Sequence, residues 1–200
     1  MTGLLEALRA RRSIRRYAAR PVAPETVERL LAAATWAPSA HNRQPWRFAV
    51  LDAPEPKERL ARAMGERLRA DRLADGEDPA AVARDIERSH ARLTGAPIVI
   101  VVCLTMRDMD RYLDTRRKKA EYLMAVQGAA MAAHNLLLAA HADGLGACWM
   151  CAPLFCSDAA RAALDLPEDW EPQAVITLGY PAEAGKPASR RPLSDVVLNR

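Results

Sequence analysis

The sequence predicts an α+β or mixed α/β domain in which helices flank a small set of strands. Three observations carry this expectation. The run Ala96-Pro97-Ile98-Val99-Ile100-Val101-Val102-Cys103-Leu104 is far shorter than the roughly 20 residues that cross a bilayer, and it suits a buried strand. Between Lys118 and His141, the residues Tyr122, Val126, Ala129, Ala133, Leu136, Leu137 and Ala140 stack on one side of a long helix, and small neighbours allow close packing. Ala174-Val175-Ile176-Thr177-Leu178 is closed by Gly179-Tyr180-Pro181, as a strand running into a turn would be.

The other elements follow in order. Residues 3 to 11 read as a short helix and Arg12 to Arg20 as a basic connection. Pro24 opens a second helix, in the first-turn position that proline favours, with Glu25 behind it. Val27, Leu30, Leu31 and Ala34 form its apolar face, and it should stop near Ala37 because Pro38 disfavours helical geometry in the residue before it. Arg47 to Leu51 alternates as a strand. Pro56 to Arg92 is charged and Ala-rich, with two helical stretches broken around Asp75-Gly76-Glu77-Asp78-Pro79. Gly144 is placed to end the long helix, Gly146 to Met150 is a third strand, and Ser157-Asp158 is read as the cap of a helix reaching Leu164. No repeat or linker divides the chain, so residues 1–200 are expected to form one domain.

Composition narrows the function classes. Half of the 200 residues are apolar and 27% are charged, which is ordinary for a soluble globular protein. The amino-terminal stretch has no apolar core and reaches arginine by Arg9, so no signal peptide is expected; a cytoplasmic location follows as the default, with no membrane partner. The net charge of +4 is mild. Arg9, Arg11, Arg12, Arg15, Arg16 and Arg20 crowd one stretch, yet no aromatic interleaving or recognition-helix pattern accompanies them, so nucleic acid is not the expected partner. The cysteines Cys103, Cys148, Cys151 and Cys156 are expected to be reduced thiols rather than a disulfide framework.

Three constellations have chemical content. Arg11-Arg12-Ser13-Ile14-Arg15 sets guanidinium forks beside a hydroxyl, a donor set that matches phosphate oxygens; a solvated basic turn accounts for it equally well. Arg190-Arg191, after the last strand, is a second basic pair. In Ala37-Pro38-Ser39-Ala40-His41-Asn42-Arg43-Gln44-Pro45-Trp46, two prolines fix the backbone, and Ser39, Asn42 and Gln44 offer donors and acceptors for the polar edge of a heterocycle. Taken alone, this segment is better read as a capped turn with Trp46 as a core anchor. Cys148-Trp149-Met150-Cys151 raises zinc and a redox dithiol as alternatives. Zinc lacks a second ligand pair. The dithiol would sit on a strand, away from the helix N-terminus that usually depresses a thiol pKa, so small pocket-lining residues are the simpler account. His41, His90, His134 and His141 make no ligand or triad pattern, and no Gly-x-Gly-x-x-Gly follows a strand.

The order of these pieces carries more than any one of them. Arg-Arg-Ser-x-Arg from Arg11, then Ala-Pro-Ser-x-x-Asn-x-Gln-Pro-Trp-x-Phe from Ala37, Gly-Leu-Gly after the long helix, Gly-Tyr-Pro, and Arg-Arg-Pro-Leu from Arg190 together resemble the nitroreductase family over nearly the whole chain. The segment from Gly144 through Asp195 is similar to the flavin-binding C-terminal domain of the deazaflavin-coenzyme gamma-glutamyl ligase, without the ligase portion. The resemblance implies an α+β sandwich whose central, mainly antiparallel sheet is flanked by helices, in an intertwined homodimer with FMN at the subunit interface. It places Arg11, Arg12, Ser13 and Arg15, with Arg190, around the flavin phosphate. It sets Pro38, Ser39, Asn42 and Gln44 against the flavin ring, partly from the partner copy, and runs Cys148, Trp149, Met150 and Cys151 along the other side. Arg43 is a candidate for electrostatic support of the reduced flavin.

The implied activity is ping-pong transfer of electrons from NAD(P)H to a small organic acceptor: a nitro compound, a quinone or an activated double bond, including a deazaflavin-coenzyme precursor. No protein side chain is required as a nucleophile. The cysteine-rich strand and the segment from Pro56 to Leu93 depart from the family pattern. The competing readings are a thiol–disulfide oxidoreductase using Cys148 and Cys151, and a non-catalytic flavin or deazaflavin carrier.

Overall fold

The computed structural model describes residues 3–200; the first two residues of the domain expected over 1–200 lie outside the described residues. Helix α1 spans Leu4–Ala10 and α2 spans Pro24–Ala34. Strand β1 covers Trp46–Leu51, followed by α3 (Pro54–Ala74) and α4 (Pro79–Thr94). Strand β2 is Ile98–Leu104, α5 is Thr115–Ala142 and β3 is Gly146–Met150. Helix α6 (Ser157–Ala163) and strand β4 (Glu171–Gly179) complete the regular structure. The sheet order is β1-β2-β4-β3, with every neighbouring pair antiparallel.

Strand β2 is apolar at every position because both of its faces are covered. Ile98, Ile100, Val102 and Leu104 join Ile176 and Leu178 of β4 against α2 and α5. Val99, Val101 and Cys103 join Val175 against Leu60 and Met64 of α3, Leu93 of α4 and Ala160 of α6. The result is helix, sheet, helix in three layers. Fully buried side chains such as Leu136, Ile100 and Ile176 each contribute about 1.5–3 kcal/mol of transfer free energy. Helix α5 is apolar enough in composition to cross a bilayer, with a mean hydropathy of 1.4 in its most apolar stretch, but it buries Ala129, Ala132, Ala133, Leu136 and Ala140 in the first of these cores.

Several boundaries differ from expectation for identifiable reasons. Helix α2 stops at Ala34 because its last turn tightens: Trp36 and Ala37 donate to the carbonyls of Ala33 and Ala34 at i−3 spacing. Helix α3 begins at Pro54, two residues before Pro56, since both prolines fit a first turn that needs no amide donor. Helix α5 begins at Thr115, earlier than Lys118, because the Asp114 carboxylate accepts the Arg117 amide at 2.9 Å. Strand β4 reaches back to Glu171, and the register shift at Val102/Cys103 accommodates Pro172 opposite Cys103. Ser157 is the first residue of α6 rather than its cap. Cys156 takes the cap position, and its carbonyl accepts the Ala160 amide at 2.9 Å.

Candidate active site

The basic segment after α1 is extended because it pairs with two strand ends. Ser13 bridges Ala147 of β3 in parallel, and the Ile14 amide donates to the Ala147 carbonyl at 3.0 Å. Tyr17 bridges Pro181, with the Ala18 amide on the Tyr180 carbonyl at 2.8 Å. Extended geometry alternates side chains: Ile14 is buried, while Ser13 and Arg15 are exposed. The approach is close enough that a Cβ on Gly146 would lie 2.7 Å from the Ile14 Cβ, so glycine is required there. Arg12 folds back, donating through Nη1 to the carbonyls of Arg9 (2.5 Å) and Arg11 (2.8 Å). Among the described residues, none of Arg11, Arg12 and Arg15 pairs with a carboxylate. Beside them opens a cleft of about 270 Å³, bordered by Arg11, Arg12, Leu137, His141 and Gly146. The C-terminal segment crosses over Arg12 at Gly185. Arg190, farther along, is exposed, donates to the Ser189 carbonyl at 2.8 Å and does not border this cleft.

The second group is seated on the middle of α5. The side chain that Gly128 lacks would place a Cβ 3.1 Å from Pro45 Cγ and 3.4 Å from Ser39 Cβ, so the small residue lets the segment lie on the helix. His41 (φ 49), Asn42 (φ 52) and Gln44 (φ 50) all adopt left-handed backbone, which costs of order 1–3 kcal/mol each and persists only where the surroundings hold it. Ser39 Oγ accepts the Gln44 amide at 2.9 Å. The Pro45 carbonyl accepts the Thr105 amide at 2.9 Å, and Trp46 is buried. Pro38, Asn42 and Gln44 are exposed and Ser39 half-buried. Arg43, in the same segment, donates to Asp110 Oδ1 at 2.6 Å.

Along β3, Cys148 is buried and pairs across the sheet with Thr177. Burial pushes its thiol up against the opposing pull of Arg15, the reverse of what an attacking thiolate needs. Trp149 and Met150 are half-buried, and the Trp149 indole donates to the sulfur of exposed Cys151 at 3.0 Å. All four cysteines are free thiols. Within the chain the arginine cleft and the Ser39–Gln44 segment stand apart. One meets α5 at Leu137 and His141, the other at Gly128, a separation of about 14–20 Å along a helix axis.

Sequence reasoning missed Asp110, which carries no motif, and Glu121, which is buried on α5. An ionisable residue at the head of the series Glu121, Ala125, Gly128, Ala132, on an otherwise small and apolar face, was the available signal for the second.

Residues 8–180 match the family model described as Nitroreductase family. The chain belongs to the nitroreductase family. A protein of Methanothermobacter thermautotrophicus, provisionally named an NADH dehydrogenase/NAD(P)H nitroreductase, is 33% identical over 182 residues, covering 90% of this chain and 78% of that protein. The NADH dehydrogenase of Thermus thermophilus is 32% identical over 214 residues, covering 95% and 92%. Among nitroreductase structures, a provisionally named enzyme from Desulfovibrio desulfuricans, crystallised in complex with FMN, superposes with a TM-score of 0.76 at 32% identity and covers 100% of this chain and 98% of its own.

Proposed function

We propose that this nitroreductase-family protein is an FMN-dependent oxidoreductase that takes electrons from NAD(P)H and delivers them to a small organic acceptor, with residues 1–200 forming one FMN-binding domain. The observation that carries the reading is the arginine cleft. Arg11, Arg12 and Arg15 flank Ser13 along the extended segment and pair with no carboxylate among the described residues, and Arg11 and Arg12 border a cleft that can admit a ligand, whose one lining carboxylate, Glu183, is paired with Arg16. Unneutralised forks beside a hydroxyl are the donor set a flavin phosphate requires, so the residues present fit FMN. The D. desulfuricans relative, at 32% identity, holds that cofactor, and the M. thermautotrophicus and T. thermophilus relatives carry NAD(P)H- or NADH-oxidising names.

In this reading Arg11, Arg12, Ser13 and Arg15 hold the phosphate, joined by Arg190. Pro38, Ser39, Asn42 and Gln44 face the flavin ring, and Cys148, Trp149, Met150 and Cys151 line its other side. Bound flavin supplies reversible two-electron chemistry, and the protein orients it and tunes its charge environment. The side chains of Asn42 and Gln44 have no hydrogen-bond partner among the described residues, which leaves their amides for the ring's polar edge. Arg43 supplies the cation that favours negative charge on reduction.

The spacing of the two groups along α5 supports a homodimer in which each ring-facing segment serves the partner's phosphate cleft. The exposed apolar side chains Leu4, Leu5 and Leu8 of α1, with Leu123 and Met131 of α5, provide surface to bury between copies. The acceptor is a nitro compound, a quinone or an activated double bond; the similarity of residues 144–195 to a deazaflavin-coenzyme ligase domain favours testing a deazaflavin precursor among them. The cytoplasm is the proposed compartment.

The test is the absorbance spectrum of purified protein, identification of the released cofactor, and NAD(P)H oxidation with each acceptor class. Flavin bands, released FMN and acceptor-dependent turnover are expected. A colourless protein that takes up no FMN overturns the reading. Bound FMN without NAD(P)H oxidation makes the protein a carrier instead.

A further inference from the structure

Glu121 lies on the second turn of α5 with 1% of its surface exposed. Its Oε1 accepts the backbone N–H of Asp110 at 3.0 Å, and its Oε2 has no partner among the described residues. Burying a carboxyl group with one oxygen unpaired is costly, and the other buried positions that follow on this face, Ala125, Gly128 and Ala132, are small and carry no polar side chain. What the carboxyl does is fix Asp110 midway along the connection from β2 to α5. From there the Asp110 side chain reaches across to Arg43 at 2.6 Å, between the left-handed residues Asn42 and Gln44. Glu121 and Gly128 share one face of α5, two turns or about 10 Å apart. The strained segment is thus held at two places: at Ser39 and Pro45 by contact with Gly128, and at Arg43 through Asp110 by Glu121.

We infer that Glu121 and Asp110 are positioning residues for the flavin site, a relay from the buried face of α5 that fixes Arg43 and partly balances its charge. This rests on the reading that the Ser39–Gln44 segment faces the flavin ring. The relay has a charge signature that simple scaffolding lacks. Loss of the Asp110 carboxylate leaves Arg43 uncompensated and favours the reduced, more negative flavin. Loss of Arg43 does the opposite, and loss of both restores the balance.

The experiment compares wild type with Arg43→Gln, Asp110→Asn, the double variant, Glu121→Ala and Glu121→Gln. It measures FMN affinity of the apoprotein by flavin fluorescence and the midpoint potential of the bound flavin. Asp110→Asn is expected to raise the potential, Arg43→Gln to lower it, and the double variant to return close to wild type. Each single change should weaken FMN binding about tenfold, and the double variant by about the same tenfold, as coupled partners do. Glu121→Ala should match the loss at Asp110→Asn, and Glu121→Gln, which keeps an oxygen for the Asp110 N–H, should recover wild-type affinity. Independent losses that multiply to about a hundredfold in the double variant, or singles that leave affinity and potential unmoved, overturn the relay while the flavin site stands. Should Glu121→Ala fail to fold, the Arg43–Asp110 cycle and Glu121→Gln decide. A wild-type protein that takes up no FMN removes the site reading and the relay with it.

Discussion

The hydroxyl of Tyr17 lies 2.7 Å from Oγ1 of Thr177 and 3.0 Å from the Thr177 carbonyl, while also donating to the Ile14 carbonyl at 2.7 Å. One phenol therefore fastens the basic segment to β4, and its burial pushes the Tyr17 pKa well above the usual tyrosine range, so the group stays a protonated donor at any physiological pH. Tyr17→Phe removes the hydroxyl and leaves buried acceptors unpaired. Urea unfolding should show a loss of about 1–3 kcal/mol, with FMN affinity falling alongside as the arginine segment loosens.

Arg11 and Arg15 make a sharper test of what the cleft recognises. If the guanidinium groups hold a phosphate, Arg11→Ala and Arg15→Ala should each weaken FMN binding by about ten- to a hundredfold, the range for hydrogen bonds to charged groups. Riboflavin, which has no phosphate, should bind wild type and both variants alike. Titration of the apoprotein with the two flavins checks this.

The thiols should separate by exposure. Cys151 is exposed, whereas Cys103, Cys148 and Cys156 are buried, with Cys103 pushed up to about 12 by burial. A thiol reagent at neutral pH should modify one cysteine in the native protein and all four after denaturation. The double change Cys148→Ser and Cys151→Ser should leave NAD(P)H oxidation within about twofold of wild type, whereas a dithiol mechanism would lose it.

Acid should weaken the fold from the charged periphery. Hydrogen bonds from Arg72 hold Glu77 and Asp85 below the usual carboxylate range. The Arg117 backbone and side chain do so for Asp114, and the Thr105 hydroxyl for Asp169. Carboxylates depressed in the folded state contribute stability that is present above their unfolded pKa values and lost as pH falls through the folded ones. Thermal unfolding followed from pH 7 down to about 3 should show a plateau and then a decline that begins as pH enters the ordinary carboxylate range, about 4–5, and continues below it toward the depressed folded values.

What was legible in the sequence was local. The basic Arg11–Arg15 stretch, the proline-bracketed Pro38–Pro45 turn, the unbroken β2 run and the break before Pro79 each owe their structure to neighbours in the chain, so composition and spacing expose them. Strand β4 begins three residues before Ala174: a proline such as Pro172 argues against a ladder position, and only the bulge opposite Cys103 makes room for it. Asp110 and Glu121 stayed hidden for a related reason: their partners are Arg43, 67 residues away, and a backbone amide 11 residues away, and no motif marks either. Lys57 is another such case, buried with its ammonium on the carbonyls of Ala96 and Pro97 at 3.0 and 3.2 Å.

Because the sheet runs β1-β2-β4-β3 and the segment from Ser13 to Tyr17 pairs with Ala147 and Pro181, the part of the chain synthesised first is among the last to find its place. Strand β2 has no inner neighbour until β4 emerges, and the arginine segment has no edge to lie on until β3 and the turn after β4 exist. Such long-range closure folds slowly, and domains generally form as units once their sequence is complete. A nascent chain that lacks β3 and the turn after β4 would therefore carry these arginines without the edge they lie on and without the cleft beside them.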